Sequence, residues 1–249
     1  MSFGSSFVGA DDAVCMNRTA GVLGHCRMVV CVTACAGTSP GTAQNVSGDK
    51  ALGRTALLRL TDLPAGWSAI RRPNGPKTPG IDKELVACLN TSLPLIKHDR
   101  AKVSAPEFSN VDHGVVESEL TYEVSRAQVV SDFAVLQNPQ LPSCLAKAFA
   151  AVFALGIKQS SDSSLSGITL GTTRTSTVPV PPVGDQRLGY RVLLPLTDAA
   201  DQINAYFDLI AVHKGRVAAV FLFESTGAAF SGTEEAHLTT RVVGRLTHT

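Results

Sequence analysis

The last third of the chain carries four consecutive stretches with strand periodicity and no helical stretch between them: Ile168 to Thr177, Arg187 to Leu196, Ile203 to His213 and Arg216 to Ser225. Parallel neighbours need a long crossover, so strands that follow one another this closely pair antiparallel. Lys214-Gly215 joins the last two as a tight hairpin. The C-terminal part is therefore expected to be a β-meander. Ser231 to Glu234 has the spacing of a capping box and starts a final helix. Glu234 and Glu235 lie at its N-terminal end and Arg241 and Arg245 at its C-terminal end, as the helix dipole favours.

Earlier in the chain, elements of both kinds are grouped rather than alternated. Asp49 is placed as the cap of a helix reaching about Leu60, with Leu52, Ala56, Leu57 and Leu60 inward. Leu63-Pro64-Ala65-Gly66-Trp67 ends it, and a short strand runs from Trp67 to Arg71. Ile81 to Asn90 reads as a helix with Leu85, Cys88 and Leu89 on one side. Strands follow near Lys102 to Ser109 and Val115 to Val124. In the second, Val116, Leu120, Tyr122 and Val124 share one face, while Glu117, Glu119, Thr121 and Glu123 form a wet one. Ser125 caps a helix to about Gln137 that buries Val129, Val130, Phe133 and Leu136. Pro142 and Ser143 open another, with Leu145, Phe149, Val152 and Phe153 as its apolar stripe. The expectation is an α+β fold, an antiparallel sheet packed with helices, forming a single domain over residues 49–249.

Composition sets the outer limits. The 249 residues are 44% hydrophobic and 17% charged, which suffices for a sizeable core. A formal net charge of +1 gives no electrostatic reason to expect nucleic acid as a partner. No run of about 18 apolar residues suggests a membrane-spanning helix.

Four of the six cysteines, Cys15, Cys26, Cys31 and Cys35, fall in the first 35 residues. With His25 they could be read as metal ligands, but no paired C-x-x-C spacing is present, and no metal site is expected. Val32-Thr33-Ala34-Cys35 has the form of a lipobox, with Met28 to Ala34 apolar and Arg18 and Arg27 upstream. Residues 1–35 are then a signal-like leader, Cys35 the lipidation site and residues 36–48 a flexible linker. Met16 is an alternative start that would remove Asp11 and Asp12, and a leader without function is the other reading.

Cys88 and Cys144 are the only cysteines of the folded body. Cys88 shares a helix face with Leu85 and Leu89, and Cys144 precedes inward Leu145. Both should point to the layer where helices meet, so a disulfide is expected, persisting in an oxidising compartment. Two independent buried thiols are the alternative.

The residues that could carry chemistry are few. No G-x-S-x-G elbow, H-x-x-x-H pair, P-loop or dinucleotide glycine fingerprint is present, and no catalytic residue or cofactor is expected. The histidines are scattered and read as solvated. Asp208 lies among Phe207, Leu209 and Ile210. Buried, it would have to be paired and could serve a binding site; strand alternation instead puts it on the solvent face beside Asn204. Trp67, the only tryptophan, could stack a ligand or anchor the core.

Asp62-Leu63-Pro64-Ala65-Gly66-Trp67, the body cysteines, Pro181-Pro182-Val183-Gly184-Asp185 leading into Tyr190-Arg191-Val192, and the hairpin at Lys214-Gly215-Arg216 before a last helix together form a pattern. Over roughly residues 50–247 it resembles actinobacterial cell-envelope lipoproteins of the LpqN type and the PknH-like extracytoplasmic sensor domain. The resemblance implies an exported domain with one antiparallel sheet and helices. The function expected is a sensor-like module, held to the membrane by a lipid, that binds a small apolar ligand or an envelope protein. The alternatives are an envelope hydrolase using the Glu117, Glu119 and Glu123 row with Asp208, and a cytosolic protein with free thiols.

Overall fold

A computed structural model describes residues 46–70, 80–90, 99–159, 167–198 and 201–246. Cys15, Cys26, Cys31 and Cys35, His25, and the expected linker up to Asn45 lie outside the described residues. Among the described residues the α-helices are α1 (Val46–Ala56), α2 (Ile81–Leu89), α3 (Arg126–Leu136), α4 (Leu141–Gln159) and α5 (Gly232–Arg245). The strands are β1 (Ser68–Ile70), β2 (Asp99–Ser104), β3 (Glu107–Asn110), β4 (Gly114–Glu123), β5 (Thr169–Leu170), β6 (Arg174–Thr177), β7 (Gln186–Asp198), β8 (Asp201–Lys214) and β9 (Val217–Thr226). They form one antiparallel sheet in the order β1-β3-β4-β9-β8-β7-β5, with β2 also pairing β4 and β6 pairing β7. The fold is α+β, and the meander β7-β8-β9 leads into the final helix.

Both faces of the sheet are covered. On one, Val116, Leu120 and Tyr122 of β4, Ile210 and Val212 of β8, and Phe221 and Phe223 of β9 pack against Leu238, Val242 and Val243 of α5. On the other, Tyr190, Val192 and Leu194 of β7 and Phe207 of β8 meet Leu85 and Leu89 of α2 and Leu145 and Phe149 of α4. Val129 and Phe133 of α3 cover Ala211 and Ala218 on that second face. Ser125 caps α3 as expected, its hydroxyl accepting from the Gln128 amide.

Several local expectations are corrected. Helix α1 begins at Val46, so Asp49 lies inside it rather than capping it. Its buried stripe is Asp49, Gly53 and Ala56, leaving Leu52 and Leu60 exposed. The cause is close approach: a Cβ on Gly53 would stand 2.5 Å from a Val103 methyl, so the helix rests on the sheet through its glycine. Asp49 tolerates burial because Arg216 of the β8–β9 turn binds both its oxygens. The stretch expected as one strand to Ser109 is broken into β2 and β3 at Ala105-Pro106, and Ile168 to Thr177 is broken into β5 and β6. The β8–β9 turn is Gly215-Arg216, since Lys214 still pairs with Val217.

The wet face assigned to β4 is dry at its end. Glu123 is buried while Val124, beyond the strand, is exposed. Val130 of α3 is also exposed, and Asp132 takes the inward place. Ser231 precedes α5 without a side-chain cap bond; the Glu235 amide donates instead to its carbonyl. By length and composition α4 is apolar enough to cross a membrane, contrary to the sequence reading. Here it lies on the sheet with Leu141, Cys144, Leu145, Ala148, Phe149 and Val152 buried.

Candidate functional site

The expected Cys88–Cys144 disulfide is present, with Cα atoms 5.6 Å apart. It fastens α2 to α4 above the second sheet face, beside Leu85, Leu89 and Leu145. Two helices separated by three strands and α3 in the chain are thus locked into one layer.

Asp208 does not face solvent. It is fully buried in β8, on the sheet face covered by α5. The ladder sets Arg191 of β7 directly opposite it. Arg191 Nε donates to Asp208 Oδ1 and Nη2 to Oδ2, both at 2.6 Å. This two-pronged geometry is the strongest form of an arginine–carboxylate contact. Nη2 also donates to the Phe230 carbonyl at 3.4 Å and lies 3.6 Å from Glu235 Oε1. The hydrogen bonds to Asp208 push the Arg191 guanidinium above its ordinary value, against the opposing effect of burial.

Glu235, in the first turn of α5, completes the cluster and is itself buried. Burial above all, then a hydrogen bond to Asp208 and the negative charge of that carboxylate, push the Glu235 carboxyl up to about 9; Arg191 opposes the shift. The shift favours the protonated form of Glu235 at neutral pH, in which its hydroxyl can donate to the Asp208 carboxylate. One guanidinium, one carboxylate and one carboxylic acid then sum to zero charge, which makes their burial tolerable.

Trp67 is also buried, so the core reading of it is the one observed. Its ring lies 6.0 Å from Phe230 and 6.3 Å from His113, and Phe230 in turn packs 5.1 Å from Phe223. The indole N–H has no hydrogen-bond partner among the described residues. Phe230 is the link between the two residues singled out in the sequence: its ring meets Trp67, and its carbonyl receives Arg191, the partner of Asp208.

The glutamate row does not converge on a cleft. Glu119 is engaged by Lys102 at 2.7 Å and by the Ser104 hydroxyl at 3.0 Å. Glu123 is buried at the strand end, near Arg216, whose guanidinium donates to the Glu123 carbonyl. Among the described residues no group of three or more His, Cys, Asp or Glu side chains could hold a metal ion.

His213, expected in solvent like the other histidines, is buried in β8, edge-on to Phe133 at 4.9 Å. Its Nδ1 is 3.8 Å from Asp185, which also pairs with Arg126 and accepts from the Gly215 amide. Burial pushes its imidazole below the ordinary range, with Asp185 opposing and Arg126 reinforcing. A groove of about 270 Å³ lies between Thr177, Val178 and Val180 and residues Arg187 to Tyr190.

Sequence reasoning missed Arg191, Glu235 and His213. Arg191 was within reach, because an arginine between Tyr190 and Val192 in a strand needs a carboxylate opposite. Glu235 was not, since its burial depends on how α5 docks. No protein-family model matches the chain, and no curated protein matches it.

Proposed function

We propose that the chain is an exported cell-envelope protein, lipid-anchored through Cys35, whose body is a non-catalytic, sensor-like module for an envelope protein partner. The observation that carries this reading is the Cys88–Cys144 disulfide, because such cross-links persist in oxidising compartments and are rare where thiols are kept reduced. The carboxylates a hydrolase would use are engaged: Asp208 by Arg191, Glu119 by Lys102. Aromatic and aliphatic side chains fill the space between sheet and helices around both core clusters, which favours a protein partner over a small apolar ligand enclosed in the body.

The test is made in the native host. Cells are lysed under acid quench and thiols are alkylated before and after reduction. Cys88 and Cys144 should react only after reduction, and a fatty-acid label should be incorporated by the wild type and lost in Cys35→Ser. Reactive body thiols before reduction would overturn export; an oxidised body with no label would overturn the anchor alone.

A further inference from the structure

We propose that α5 is latched to the sheet by a proton shared between Asp208 and Glu235, and that losing this proton frees the first turn of α5 and withdraws Phe230 from Trp67. The groups that face this pair are known from each element. Strand β7 supplies Arg191, β8 supplies Asp208 and Tyr206, and α5 itself supplies Glu234. From β9 come Phe223, opposite Asp208, and buried Ser225, which carry no charge.

Only one cation stands among these groups, and both of its prongs are already spent on Asp208. The side chains of Asp208 and Glu235 are 1% and 3% exposed, so water cannot stabilise a second negative charge between them. With the proton in place, the acid donates and the carboxylate accepts. Without it, two anions face each other in a water-excluded site with one guanidinium between them. Relief requires Glu235 to reach solvent, and Glu235 can do so only if the first turn of α5 leaves the sheet. Phe230 lies just before that turn and is joined to it through Ser231, so the departing turn draws it away and breaks the long 3.4 Å bond between its carbonyl and Arg191. The far end of α5 stays anchored, because Arg245 binds Asp62 and the Leu57 carbonyl and Leu238, Val242 and Val243 remain in the core. The motion is a hinged opening rather than unfolding.

Trp67 is the only tryptophan and its ring packs at a tilt beside Phe230, which makes it a built-in reporter. The full chain is titrated from pH 6 to 10.5, recording tryptophan emission and far-ultraviolet circular dichroism. The expected result is a one-proton red shift of the emission with a midpoint near 9, at constant secondary structure, absent in Glu235→Gln, which keeps the hydrogen bond but has no proton to lose. A second readout needs no variant: the side-chain carboxyl carbon of Glu235, followed by NMR, should titrate in the same range. Superimposable emission curves for wild type and Glu235→Gln, or a Glu235 carbon titrating in the ordinary carboxylate range, would overturn the latch.

Discussion

Arg191 and Asp208 face each other across the β7–β8 ladder, and each oxygen of the carboxylate receives its own guanidinium N–H. The two residues are not equally buried: the arginine side chain is 27% exposed and the aspartate 1%. Removing either partner should therefore have unequal effects. Arg191→Met strands a buried carboxylate beside Glu235 and should cost about 3–5 kcal/mol. Asp208→Asn leaves a guanidinium that still reaches water and should cost about 1–3 kcal/mol. Urea unfolding at pH 7 measures both; equal losses would show that the pair is not desolvated on one side as described.

The disulfide closes a loop of 56 residues. On the chain-entropy account a loop of this size is worth on the order of 4 kcal/mol. Cys88→Ser should lose about that much in denaturant unfolding, and the reduced wild type should fall to the same level. A reduced wild type as stable as the oxidised one would mean that packing of α2 on α4 alone holds this layer.

Acid should weaken the fold in two separate windows. The folded pKa of His213 lies below the ordinary imidazole value of 6.5, so the unfolded chain takes up its proton first. Stability should begin to fall as pH drops through 6.5, and continue falling until the folded value is passed. Asp62 behaves differently. Burial alone would raise its carboxyl, but hydrogen bonds from the Arg245 side chain and the Arg59 amide, with the charges of Arg245 and Arg241, hold it below its ordinary value. Its contribution is present above that ordinary value and is lost as pH falls through the folded one. His213→Phe should flatten the upper window and leave the lower one, as read by melting temperature between pH 7.5 and 3.

Two glycines in the left-handed region separate strain from collision. At Gly227, φ is +82° and a Cβ would meet nothing, so Gly227→Ala should cost only backbone strain, about 1–2 kcal/mol. At Gly114, φ is +110° and a Cβ would stand 1.9 Å from the Glu224 carbonyl oxygen across the ladder. Gly114→Ala must push β4 away from β9 and should be the more damaging by a clear margin in thermal melts.

Period-two patterning made the strands and their antiparallel order legible, and the helix face of Cys88 beside Leu85 and Leu89 made the disulfide legible. Patterning says that neighbours point to opposite faces, but not which face is wet. In this sheet both faces are covered, so the rule that one side of an antiparallel sheet meets water misplaced Asp208. The same limit applies to α1. Its apolar residues suggested Leu52 inward, whereas Gly53 decides the contact because only a bare Cα lets the helix sit that close. Glu235 illustrates a third limit: an acid in a first turn suits the helix dipole whether or not it is buried, so the local signal carries no information about its neighbours.

Strand β9 lies between β4 and β8, so the sheet's centre is supplied by one of its last segments. Until that segment arrives, β4 exposes the backbone edge that will pair residues Val115 to Tyr122 with Val217 to Glu224, about a hundred positions onward. The early strands cannot close by themselves, and β7 with β8 would form a separate ribbon. A chain interrupted before β9 would hold two open sheet edges and no shared core, which is the condition that invites pairing with foreign strands. The order of strands thus makes completion slow, since the contacts that join the two halves of the sheet are distant in the chain.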